Sequence, residues 1–201
     1  MKTHHLLDRF FPMIQPHDWP GKSAALHRSL CFMPRLAGTP WLSFYFEVDG
    51  KLNYVDSGVL ARLGLGAEQL EAVAIRNVVR TSAVWEPLRL GAAVVDQRVV
   101  LRCIDQPHAC ERILEPEFLE QGRGMLSAKA LCATLPQRGM LLVAPFDDFE
   151  ILMRLGKHFH DNAENPRISP WVFAIKDGAI CGRFFEENGE VGLDAVVPPR
   201  R

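Results

Sequence analysis

The sequence predicts an α+β fold, mostly antiparallel β-hairpins with helices packed on the sheet. Three observations carry that expectation. Strand-like runs rich in aromatic and β-branched residues flank the turn dipeptides Asp49-Gly50, Asp177-Gly178 and Asn188-Gly189. Single amphipathic helical patterns lie between these hairpins, without the regular crossovers of a parallel sheet. The chain has 201 residues, 48% hydrophobic and 23% charged, which suits one large globular domain or two small lobes sharing a core.

Residues 1–40 read as an N-terminal helical and loop segment. LLDRFFPMI has the spacing of a short helix broken near Pro12, KSAALHRSL repeats it at Leu26 and Leu30, and Pro34, Gly38 and Pro40 mark a loop. A single α+β domain is expected over 41–197, divisible into lobes 41–103 and 104–197. Within it, WLSFYFEVDGKLNYVD (41–56) reads as a hairpin. With Val48 opposite Lys51, the Phe46 and Val48 face would meet Lys51 and Asn53. That imperfect alternation suggests a turn longer than two residues.

Residues 57–80 read as a short helix, a glycine break and a longer helix. In the second, Ala67, Leu70, Val73, Ala74, Asn77 and Val78 share one face. Asn77 would be a buried bracket in need of hydrogen-bond partners. AAVVDQRVVLRC (92–103) suggests another hairpin. HACERILEPEFLEQ has helical spacing with Pro116 inside it, where proline ends or kinks a helix. Two buried strands follow in 130–146, then a helix over 147–161 opened by Asp147 or Asp148. PWVFAIK, AICGRFF and VGLDAVV supply the last strands.

Three blocks, in order, carry a family resemblance: YVDSGVLARLGLGAEQLEAVAIRNV, ACERILEPEFLEQ, and RGMLLVAPFDDFEIL through HFHDNAENPRISPWVFAIKDGAI. Together they resemble the YtpQ-like family of uncharacterised bacterial proteins over roughly residues 40–180. This chain differs in its shorter N-terminal region and in Asp147, where the family often has arginine. The resemblance implies the fold unit and a bacterial cytoplasmic setting, and no catalytic residues.

Each chemically suggestive motif has a structural reading. In HFHD, His158 and His160 fall about 200° apart on a helix, so they cannot share an ion as i, i+4 ligands do. Phe159 belongs to the core stripe, and the histidines sit in the last turn, where they complement the helix dipole. Asp147, Asp148 and Glu150 could hold a divalent ion or act as acid and base. Carboxylates between a strand and a helix more often cap it. Cys103, His108 and Cys110 form a loose cluster that lacks a fourth zinc ligand. Arg112 could bind an anion, or pair with Glu111 or Glu115 on its own helix.

The five cysteines form no CxxC, which favours buried free thiols over a metal ribbon. Net charge is −1 and the arginines are scattered, which disfavours nucleic acid. No signal peptide or apolar run of membrane-spanning length is visible, so the expected setting is the cytoplasm. No nucleophile elbow, P-loop, dinucleotide fingerprint or HExxH occurs. The expectation is therefore a non-enzymatic protein–protein interaction or regulatory module without cofactor or metal, its partner contacting Trp41, Phe44 and Tyr45. The alternative is a metal-dependent hydrolase or nucleotide-handling enzyme using Asp147, Asp148 and Glu150, with Arg112 or His158 nearby.

Overall fold

The computed structural model describes residues 7–30, 38–89, 99–104, 108–187 and 190–195. The expected α+β architecture is present, built from two antiparallel sheets and four helices among these residues. The first sheet holds β1 (Phe10–Gln15), β2 (His27–Ser29), β3 (Trp41–Val48) and β4 (Lys51–Tyr54). β3 is its spine, with β1 along one side and β2 and β4 sharing the other. Helices α1 (Ser57–Leu63) and α2 (Ala67–Val79) follow. Asp56 caps α1 through its carboxylate, and Gly64 ends it in the left-handed conformation that glycine tolerates.

The second sheet contains β5 (Glu86–Arg89), β6 (Val99–Ile104), β7 (Leu131–Thr134), β8 (Met140–Pro145), β9 (Val172–Lys176), β10 (Ala179–Glu187) and β11 (Glu190–Ala195). Its order is β11-β10-β9-β7-β8-β6-β5. Between β6 and β7, a 3-10 turn at Cys110–Leu114 leads into α3 (Pro116–Met125), with Pro116 in the first turn, where its missing N–H has no cost. Helix α4 (Phe149–Asp161) packs on β7, β8 and β9.

Strand alternation sorts the core into two layers. Leu131, Ala133, Leu141, Val143, Phe173 and Ile175 join the large cluster shared with the first sheet, α2 and α3. Their neighbours Cys132, Leu142, Ala144, Val172 and Ala174 face the other way, toward Leu152 of α4. Period-2 burial on both faces is the signature of a central sheet sandwiched between layers.

Four expectations are corrected. The expected helix over LLDRFFPMI does not extend through Phe10–Ile14, because Phe10–Gln15 pairs residue by residue with β3 as a strand. Tertiary pairing overrides a local spacing that helix and strand share. The Asp49-Gly50 turn has two residues, with φ of 51° and 71°, the positive values of a type I′ turn. The poor alternation is harmless because all four residues of β4 are exposed. The sheets divide the chain between Val79 and Glu86, not at 103/104, since β6 lies inside the second sheet. Asp148 takes the N-cap position of α4, as expected, but makes no side-chain capping bond. Its backbone (φ −98°, ψ 17°) continues from a 3-10 turn, and the extended cap geometry is absent.

The hairpin expected over 92–103 is met in part. β6 pairs with β5, and residues 90–98 lie outside the described residues, as does the Asn188-Gly189 turn.

Candidate functional site: a polar cleft at the seam between the sheets

Among the described residues the outer edge of β1 meets no further strand; side chains from the rest of the molecule occupy it. Asn77 of α2 donates from Nδ2 to the carbonyls of Leu7 and Phe10, at 2.8 and 2.9 Å. The Ile14 amide donates to Glu111 Oε1 at 2.9 Å. Arg138 Nη2 donates to the Ile14 carbonyl at 3.4 Å and to Gln15 Oε1 at 3.0 Å. Phe10 and Ile14 alternate with Pro12, so one outward-facing set of backbone groups receives all the strand-edge bonds. Proline fits between them because it has no N–H to satisfy.

Beside this seam lies a cleft of about 310 Å³, lined by residues that include Tyr45, His108, Glu111 and Arg138. β3 presents Tyr45, the loop before the 3-10 turn presents His108, and the β7–β8 turn presents Arg138. His108 has φ of 63°, in the left-handed region that a β-carbon disfavours. Its ring stacks on Phe11 with centroids 4.5 Å apart and planes 9° from parallel. Burial holds its pKa below the ordinary histidine value, with the Arg112 charge adding to the effect.

Burial also pushes Tyr45 up to about 12, helped by the Glu111 charge. Glu111 is raised too: desolvation outweighs the stabilising Ile14 amide and the Arg138 charge. Several perturbed groups in one cleft mark a functional-site candidate. At neutral pH the cleft therefore presents an uncharged imidazole and phenol beside one guanidinium.

A larger, more apolar hollow of about 510 Å³ lies between the first sheet and α2. Arg28 and Glu71 in its lining form a two-pronged ion pair with each other, and Glu68 is the remaining carboxylate, which leaves the seam cleft as the better chemical site.

The residues singled out from the sequence separate. Arg112 is a core residue: Nη1 pairs with Glu115 at 2.5 Å, Nη2 donates to the Thr81 carbonyl and hydroxyl, and its guanidinium lies over the Phe118 ring. This is the expected helical pairing, buried. Asp147, Asp148 and Glu150 lie at the start of α4, across the second sheet from Arg112. Glu150 reaches toward Arg154. His158 is exposed near the other end of α4, roughly 15 Å away along the axis. Asp147, Asp148, His158 and Arg112 therefore do not converge. HFHD ends its helix as expected, with Asn162 Nδ2 bonding the His158 carbonyl.

Of the aromatic trio, Phe44 is a core residue. Trp41 is part-buried, donating Nε1–H to the His17 carbonyl and meeting His27 edge-on. Tyr45 faces the cleft. Cys110 donates to the Gln137 and Met140 carbonyls from the core, and Cys103 is buried. Of that cluster, His108 lines the cleft. Glu111 and Arg138 were missed as site residues. In the sequence Glu111 is only a helical neighbour of Arg112, and no spacing links Arg138 to β1.

No group of three metal-ligating side chains occurs among the described residues, and none of their helices is long and apolar enough to cross a membrane. No protein-family model, curated protein or solved structure matches the chain.

Proposed function

We propose that the chain is a non-enzymatic protein–protein interaction module of a bacterial, YtpQ-like cytoplasmic protein, and that it binds by adding an extended partner segment to β4. One observation carries this reading: β4 is exposed throughout and pairs only with β3 among the described strands. The register supplies the detail. In a two-residue hairpin, the residues flanking the turn exchange hydrogen bonds, so Lys51 and Asn53 face β3. The Val55 amide bonding to the Phe44 carbonyl extends the same set. Leu52 and Tyr54 therefore present their N–H and C=O groups outward. Their side chains are exposed as well, at 45% and 39%. An edge of this kind recruits a strand through main-chain bonds, with alternate side chains giving selectivity.

Leu52→Pro tests it. The substitution removes an outward N–H and leaves the β3 ladder intact. Tagged wild-type and variant chains are compared in capture from host lysate, and hydrogen exchange is then measured on the captured complex. Expected are loss of the partner in the variant and protection of the Leu52 and Tyr54 amides in the wild-type complex. Undiminished capture by a folded Leu52→Pro chain would refute edge pairing. A melting temperature that rises with Mg²⁺, and does so less in Asp148→Ala, would favour the carboxylate enzyme instead.

A further inference from the structure

We propose that the seam cleft bordered by Tyr45, His108 and Arg138 binds a small planar monocarboxylate. The inference concerns a different surface from the β4 edge and stands without it. Its first support is unused hydrogen-bonding capacity. The Tyr45 hydroxyl and both ring nitrogens of His108 make no hydrogen bond among the described residues, and neither do Nε and Nη1 of Arg138. Only Arg138 Nη2 is engaged with β1 and Gln15. Two neutral polar groups and part of one guanidinium thus share a single cavity.

The second support is shape. The His108 ring is held nearly parallel to Phe11, so it offers the cleft a flat wall. The backbone that places it there is left-handed, and strain at a non-glycine residue concentrates where a side chain must be aimed at a ligand. About 310 Å³ is at the small end of ligand cavities.

Charge narrows the class. With Nη2 committed to β1 and Gln15, the Arg138 guanidinium keeps single charge-assisted N–H donors on Nε and Nη1 for a carboxylate oxygen. A neutral phenol and imidazole add donors without adding charge. Arg138 is the one Lys or Arg among the residues lining the cleft, and part of it already serves β1 and Gln15, so a second negative charge on the ligand would meet no second cation there. A monoanion with a flat apolar body satisfies these constraints together, and a phosphate dianion does not.

Benzoate is the probe. It is titrated into the full chain while the imidazole resonances of His108 are followed by NMR, with benzamide and inorganic phosphate as comparators. A saturable His108 shift is expected with benzoate, and weaker binding of both comparators. Tyr45→Phe removes a hydroxyl with no hydrogen-bond partner among the described residues, so folding should be unchanged and benzoate affinity should fall about tenfold. His108→Asn, which tolerates the left-handed backbone, should bind more weakly as well. Leu52→Pro should bind benzoate as wild type does, which separates this site from the strand edge. Absence of a saturable shift would overturn the proposal. So would unchanged affinity in folded Tyr45→Phe, or equal binding of benzamide or phosphate.

Discussion

Glu111 and His108 line one cleft, and their protonation acts on stability in opposite directions. Burial raises Glu111, so the folded state holds its proton more tightly than the unfolded chain does. Its contribution is present below the ordinary carboxylate value, about 4.3, and is lost as pH rises through the folded pKa. His108 is lowered. Its contribution is present above the ordinary histidine value, about 6.5, and is lost as pH falls toward the folded pKa. Chemical denaturation across the interval between those values should separate the two. The stability of Glu111→Gln minus that of wild type should increase with pH, because the variant no longer loses the acid's contribution. The same difference for His108→Asn should decrease with pH. Parallel profiles for wild type and both variants would show that neither group is perturbed as the cleft geometry implies.

At the scale of elements, the sequence was most informative where one periodicity had no competitor. The stripe through Leu70, Ala74 and Val78 makes α2, and its bracket Asn77 found backbone carbonyls to hold. Pro116 opens α3, and the Asp177-Gly178 dipeptide joins β9 to β10. β1 was illegible because its fate depends on pairing with β3, which local spacing does not encode. The cleft was illegible for a related reason: Tyr45, the segment carrying His108 and Glu111, and Arg138 are far apart in the chain and meet only through the tertiary fold. His108 stands in the sequence beside Cys103 and Cys110, both of them core residues.

The two Asp-Gly turns permit a matched experiment at this scale. Both have φ of 51° at aspartate and 71° at glycine. A β-carbon at Gly50 would meet nothing within 4 Å, whereas one at Gly178 would lie 2.7 Å from Pro116 Cβ and 2.9 Å from its Cα. Gly50→Ala should therefore cost only the left-handed backbone penalty, about 1–2 kcal/mol. Gly178→Ala should cost about 1–3 kcal/mol more, because the β9–β10 turn must move off α3. Equal losses in urea denaturation would show that α3 yields freely to the turn.

Over the whole molecule, the central sheet couples two apolar layers, and buried thiols report on each. Cys103 and Cys110 belong to the layer shared with the first sheet, and Cys132 to the layer under α4. Burial raises Cys103 to about 11 and Cys132 to about 12, and it raises Cys110 as well. All three are therefore protonated and enclosed at neutral pH, and a thiolate reagent reaches them only after opening. Cys181 is part-exposed and serves as a native-state comparison, although burial raises its pKa too. The seam adds coupling, since Asn77, Glu111 and Arg138 tie β1 to elements beyond its own sheet. A sheet buried on both faces and a strand anchored from three directions leave neither layer stable alone, so unfolding should be one transition. Pulsed alkylation along a urea series, read by mass spectrometry, should give Cys103, Cys110 and Cys132 the same midpoint. A lower midpoint for Cys132 alone would mean that α4 peels from the sheet as a separate unit. A lower midpoint for Cys103 and Cys110 would place the weak boundary at the seam, where the cleft lies.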